Sequence, residues 1–133
     1  MKIHHKIGGI IIQNKKLLVV RKYGEPHFII PGGKTKAGEK EEETLKRELA
    51  EELSVNLISA KKFKTYQAVH FKDKNKLIIM DTYFSEIEGK PEASSEIQEF
   101  KWIDSSYKEK GIKLASIDED YLIPELKKQG LIN

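Results

Sequence analysis

This 133-residue chain contains no cysteine, which excludes disulfides, thiolate nucleophiles and thiolate zinc sites. Histidine is scarce as well: His4 and His5 adjoin near one terminus while His27 and His70 stand far apart, so no zinc-ligand spacing is present. No apolar run approaches the roughly 20 residues that span a bilayer. The opening Met1-Lys2-Ile3-His4-His5-Lys6 leads into a strand pattern without a signal-peptide cleavage site. A cytoplasmic protein with no membrane contact is therefore expected. Charge of one sign is also missing, since the formal net charge is only +3 and the lysines are spread among acids, so no nucleic-acid polymer is expected as a partner. The local run Lys61-Lys62-Phe63-Lys64 reads as alternation on a half-exposed strand. Linkers, repeats and low-complexity tracts are lacking. With 34% charged and 38% hydrophobic residues, residues 1–133 are expected to form one globular domain.

What the chain does have is concentrated between Gly33 and Val55. Lys40 to Leu53 consists of strong helix formers without Gly or Pro, and its leading Glu41, Glu42 and Glu43 suit the positive end of a helix dipole. At roughly 100° per residue, Glu48, Glu51 and Glu52 share one face, and Leu45, Leu49 and Leu53 form an apolar stripe beside it. The helix is expected to bury the leucines and present three carboxylates on an exposed face. Such a patch repels itself unless a cation sits within it, and hard oxygen ligands suit Mg²⁺ or Mn²⁺ better than zinc. Arginine occurs twice against 22 lysines, so Arg47 on this helix reads as chosen for its rigid fork of donors, suited to holding Glu48 or Glu51. Alone, a Glu-rich helix in a Lys/Glu-rich chain is a solvated face. The preceding segment alters that reading: Phe28-Ile29-Ile30 is a short apolar run stopped by Pro31-Gly32-Gly33, and Gly38-Glu39 closes a loop into the helix. Strand, glycine loop and charged helix is an arrangement that serves phosphate and metal sites.

These residues resemble the Nudix box, G-x5-E-x7-R-E-U-x-E-E-x-G-U with U aliphatic. Gly33, Glu39, Arg47, Glu48, Leu49, Glu51, Glu52 and Val55 match, eight of the nine defined positions. Ser54 replaces the remaining glycine, which would end the helix in a left-handed conformation that serine adopts at a cost of about 1 kcal/mol. The resemblance implies an α/β fold, the Nudix-type α/β/α sandwich with a mixed β-sheet. It implies that Glu48, Glu51 and Glu52 bind Mg²⁺ (or Mn²⁺), that the Gly32 carbonyl adds a ligand, that Arg47 orients a glutamate, and that Gly33 and Glu39 shape the motif. The implied reaction is hydrolysis of a nucleoside diphosphate linked to another moiety, with metal lowering the pKa of the attacking water. The general base is a box glutamate such as Glu48 or a later one, Glu96 or Glu99, in the segment before Trp102.

Arg21, Phe28 and Lys34 are expected substrate contacts, with Tyr23, His27, Tyr66 and His70 as further candidates for the pocket. A nucleoside triphosphate, oxidised forms included, is the favoured substrate, with ADP-ribose or a nucleotide sugar as runner-up and a non-catalytic nucleotide sensor as the alternative of another class. A monomer or small dimer is expected. Elsewhere, Lys6 to Ile12 and Leu17 to Arg21 read as a hairpin, as do Tyr66 to Phe71 and Lys76 to Ser85. The second strand of the latter pair is expected to be covered on both faces. A helix from Asp118 to Gln129 must place Pro124 in its first turn or kink there.

Overall fold

The structure, a computed structural model, describes residues 1–70 and 72–133; Phe71, expected at the end of a hairpin strand, lies outside the described residues. Seven strands and two α-helices are found among these residues: β1 (Lys2–Ile10), β2 (Ile12–Gln13), β3 (Lys16–Lys22), β4 (Gly32–Gly33), α1 (Glu41–Leu53), β5 (Asn56–Val69), β6 (Lys76–Glu88), β7 (Ile97–Ile103) and α2 (Ile123–Lys128). One sheet runs β4-β1-β6-β5 and the other β2-β3-β7. The first is mixed, because β1 and β6 are parallel while β1 with β4 and β5 with β6 are antiparallel. This is the mixed α/β architecture expected.

The first hairpin needs correction. Most of the apolar run after Lys6 belongs to β1, which pairs with β6 in register Ile7↔Asp81 and Ile10↔Phe84, not with β3. Only Ile12 and Gln13 return against Leu17 and Lys16, across Asn14 and Lys15, both left-handed at φ 52° and 59°, as the tightest hairpin turns require. The chain changes sheets at Ile11, which is fully buried like Ile10 before it. Periodicity is blind to such a switch, since both halves are apolar. The second hairpin is present, and its β6 lies between β1 and β5 with Met80, Asp81, Thr82 and Tyr83 all buried.

Helix α1 begins where Glu43 accepts a hydrogen bond from the Lys40 N–H at 3.1 Å. Its stripe of Leu45, Leu49 and Leu53 is fully buried against Ile7, Leu18, Val20 and Val55, worth about 1.5–3 kcal/mol per side chain. Ser54 takes the left-handed conformation at φ 56°, ψ 35° and donates its N–H to the Ala50 carbonyl, so serine occupies the backbone state expected of glycine. A second core packs Val19, Phe28, Ile30 and Met80 against the C-terminal Leu122, Ile123 and Leu126. The expected C-terminal helix is divided: Asp118–Leu122 forms a π-helical turn and α2 follows with Pro124 in its first turn. The wider turn absorbs the hydrogen bond that proline cannot donate. No helix among the described residues is long and apolar enough to cross a membrane.

Candidate active site

Two glycines bring backbone against the carboxylates of α1. Strand β4 consists of Gly32 and Gly33 alone, paired with Gly8 and Ile7 of β1. A Cβ on Gly33 would lie 2.5 Å from the Glu48 carboxyl carbon, and one on Gly32, whose φ is 148°, would lie 1.9 Å from the Ile7 carbonyl oxygen. A side chain at Gly32 would run into backbone, and one at Gly33 would displace the Glu48 carboxylate that Arg47 holds. The closeness lets the Gly32 N–H donate to Glu52 Oε1 at 2.8 Å. Gly32 thus meets Glu52 through its N–H.

Arg47 is the organising cation. Its Nε and one terminal nitrogen grip both oxygens of Glu39 at 2.8 and 2.9 Å, the same nitrogen reaches the Lys34 carbonyl at 3.0 Å, and the other donates to Glu48 Oε1 at 2.8 Å. Glu39 also accepts from the Thr44 hydroxyl and the Lys36 N–H. The Arg47 hydrogen bonds hold the Glu39 carboxyl well below the usual carboxylate range, and Glu39 in turn raises the Arg47 guanidinium above its ordinary value. Loop and helix are locked, and Glu48 presents a fixed oxygen.

The carboxylates that converge are Glu48, Glu52 and Glu96, with ligand atoms all within 4.8 Å of one another. Glu51 is placed differently: its side chain is 48% exposed and lies 3.5 Å from Arg47. Glu52 differs from expectation as well. It is only 1% exposed, because β4 and the segment before β7 cover that side of α1, where the Glu52 carbonyl accepts the Ser94 N–H. Its Oε2 is buried without a partner. Burial, only partly offset by the Gly32 N–H and reinforced by Glu48, pushes the Glu52 carboxyl up to about 8. Burial also raises Glu48, against the pull of Arg47. Two crowded acids held reluctant to ionise and a buried oxygen aimed at nothing fit a bound divalent cation, which would favour both charges. A second triad, His5, Glu41 and Asp81, differs in that the Lys62 ammonium already bridges it, 3.4 Å from Asp81 and 3.8 Å from Glu41.

Beside Gly32 and Gly33 opens a cavity of about 260 Å³, which Lys6, Lys22, His27, His70 and Asp118 also line. Asp118 is 2% exposed and its Oδ1 has no partner. Burial pushes its carboxyl up to about 7, opposed by Lys6 and by a hydrogen bond from the Ile30 backbone. Burial and Lys22 lower the Lys6 ammonium. Lys22 also stands 3.7 Å from Glu96, joining cavity and carboxylates.

Of the other residues named from sequence, Arg21 and Phe28 come together, the guanidinium 5.7 Å from the ring centroid, but in a separate groove with Glu99 and Trp102. Glu99 is engaged by Arg21 and lies 3.6 Å from Lys101, and the Arg21 hydrogen bond lowers its carboxyl. Lys34 meets the site through its carbonyl. Tyr23 is exposed, Tyr66 stacks on Tyr121, and His27 and His70 reach the cavity. Sequence reasoning missed Lys6, Lys22 and Asp118. A signal existed for Lys6, a charge alternating with Gly8 inside an apolar strand; Asp118 looked like a helix start.

A family model of the NUDIX domain matches residues 3–109. No curated protein matches the chain in sequence. Among solved structures, the Escherichia coli ORF135 protein superposes with a TM-score of 0.74 at 23% identity, over 96% of this chain and 92% of that one. The structure reported for MutT from Aliivibrio salmonicida and Vibrio cholerae does so with 0.73 at 20% identity, over 96% and 99%. The NUDIX domain of Shewanella oneidensis NrtR, complexed with ADP ribose, does so with 0.73 at 18% identity, over 97% and 89%. These identities speak for the fold, and the family model, which spans most of the chain, for the lineage: the protein belongs to the Nudix family.

Proposed function

We propose that this Nudix-family protein is a divalent-metal-dependent pyrophosphohydrolase that cleaves nucleoside triphosphates, oxidised ones included, to the monophosphate and pyrophosphate. The observation that carries the reading is the unpartnered, buried Glu52 oxygen beside Glu48 and Glu96, behind the glycine pair that also lines the cavity. Glu48 and Glu52 would hold the cation, with Glu51 and the Gly32 carbonyl as further ligands. Mg²⁺ or Mn²⁺ bound there supplies positive charge for the pyrophosphate and acidifies a water. Arg47 keeps Glu48 oriented by occupying one of its oxygens. Glu96 is the favoured general base, since it stands at the carboxylate group, whereas Glu99 is committed to Arg21 and Lys101. The cavity receives the base, with Asp118 at a donor of its edge and Lys6 at an acceptor, while Lys22 faces the phosphates. Arg21, Phe28 and Lys34 then belong to the outer reaches of the substrate. We place the reaction in the cytoplasm.

ADP-ribose is the second reading, favoured by the likeness to the NrtR domain complexed with it. Release of phosphate, pyrophosphate or monophosphate from a panel of nucleoside triphosphates, ADP-ribose and nucleotide sugars, with Mg²⁺, with Mn²⁺ and with chelator, decides between them. Metal-dependent cleavage of triphosphates is expected. Cleavage confined to ADP-ribose would establish the second reading, and tight binding without turnover would make the protein a sensor.

A further inference from the structure

The last carbonyls of a helix find no partner within it, and those of α1 are met by a segment some 40 residues further along the chain. The Glu92 N–H donates to the Leu53 carbonyl at 2.9 Å and the Ser94 N–H to the Glu52 carbonyl at 3.0 Å. The Ser94 hydroxyl donates to the Glu51 carbonyl at 2.6 Å. Ser94 therefore clasps two successive carbonyls of the helix that carries Glu48 and Glu52. It also opens a turn, closed by the Ile97 N–H donating to the Ser94 carbonyl at 3.1 Å, whose central residues are Ser95 and Glu96. Ser95 stands at φ 56°, a conformation that a residue with a Cβ keeps only where its surroundings impose it. Beyond the turn, the Glu96 carbonyl accepts the Tyr23 N–H at 3.1 Å, and Ile97 pairs with Lys22 and is buried in the core. The backbone of Glu96 is thus fixed by the sheet on its far side and by Ser94 on its near side. Its side chain is held far less firmly, 54% exposed with the Lys22 ammonium 3.7 Å away. Even so, its carboxylate converges with those of Glu48 and Glu52.

We propose that Ser94 is a positioning residue for the hydrolysis: by clasping the end of α1 it sets where Glu96 stands relative to Glu48 and Glu52. The inference rests on the reading of Glu96 as the general base. In that step the attacking water gives a proton to the Glu96 carboxylate as its oxygen bonds to phosphorus, and the bridging P–O bond breaks with its electron pair leaving on the departing phosphate. Such a transfer needs the two oxygens within about 3.2 Å, and a misplacement of about 1 Å can cost about 100-fold in rate. A side chain as exposed as Glu96 does not find that distance through its own packing, so the backbone beneath it must supply it. Ser94 does not touch the cavity, so its contribution falls on the chemical step and not on binding.

Ser94→Ala keeps the N–H bond to Glu52 and loses only the hydroxyl bond to Glu51, so the segment stays attached but can pivot. With Mg²⁺ and the fastest-cleaved compound of the substrate panel, this variant is expected to lower kcat about 10-fold and to leave KM within about 2-fold. Ser94→Thr retains the hydroxyl and is expected to recover kcat. In a Glu96→Gln background, where the base is already gone, Ser94→Ala is expected to change kcat by less than about 2-fold. Circular dichroism and a thermal melt establish that each variant is folded. A Ser94→Ala protein that melts lower yet keeps its kcat would reduce the clasp to a helix cap and overturn the proposal. No recovery with threonine, or a further loss of about 10-fold on top of Glu96→Gln, would overturn it as well, the latter by routing the effect through Glu52. Full kcat in Glu96→Gln itself would instead remove the general base and the proposal with it, a failure that this single variant distinguishes from the others.

Discussion

Glu52 concentrates the chemistry of the site in one side chain. It lies on the carboxylate face of α1, but the glycine pair and the segment ahead of β7 bury it, and one oxygen keeps no partner. A buried carboxylate without a compensating charge destabilises the fold. Glu52→Gln removes that penalty, and the amide oxygen still accepts the Gly32 N–H. The variant is therefore expected to lose activity by at least ~100-fold with Mg²⁺, yet to melt no lower than wild type in chelator. Initial rates and a thermal melt read both; full activity would remove Glu52 from the metal site. Arg47 and Glu39 were legible at this scale, because eight residues of spacing between a lone arginine and a loop glutamate fit a motif. Lys6 and Asp118 were not, since a lysine in a strand and an aspartate before a helix have commoner surface roles.

Among the elements, α1 was legible almost to the residue: uninterrupted helix formers, a leucine stripe and an acidic first turn all agree. Its end offers a test of backbone conformation alone. Ser54 sits at φ 56°, where glycine carries no Cβ penalty, so Ser54→Gly is expected to stabilise the protein by about 1 kcal/mol without altering turnover. Chemical denaturation checks this, and a lower midpoint would show that the Ser54 hydroxyl, 3.4 Å from that of Ser94, outweighs the strain. The strands were harder. The apolar stretch Ile7 to Ile12 carries one signal but serves two sheets, and the division at Ile11 depends on β6, some 70 residues further along the chain.

At the scale of the whole molecule, the C-terminal π-helical turn closes the cavity by placing Asp118 across from Lys6, β4 and Ile30. The consequence reaches global stability. Burial raises the folded-state Asp118 value to about 7 from an ordinary 3.8. Between those values the unfolded chain has released the proton and the folded one keeps it, so stability from this group is full below the lower value and declines as pH rises through the upper, by at most ~1.4 kcal/mol per pH unit. Asp118→Asn is expected to flatten the fall in stability from pH 4 to 7. An unchanged slope in denaturant titrations would mean that Asp118 ionises in the folded protein as freely as in the unfolded chain.

The sequence by itself determined the family, the helix that carries the carboxylates, the glycines that must lie against them and the arginine that orients them, because each rests on local spacing or on a residue type with few substitutes. Tertiary structure alone decided which acids converge. Glu96 joins Glu48 and Glu52 because β7 docks beside β3, and Glu51 lies toward Arg47 instead. It also separated Arg21 and Phe28 from the cavity and brought Lys6 and Asp118 into it. Those placements follow from contacts between segments far apart in the chain, which no local periodicity encodes.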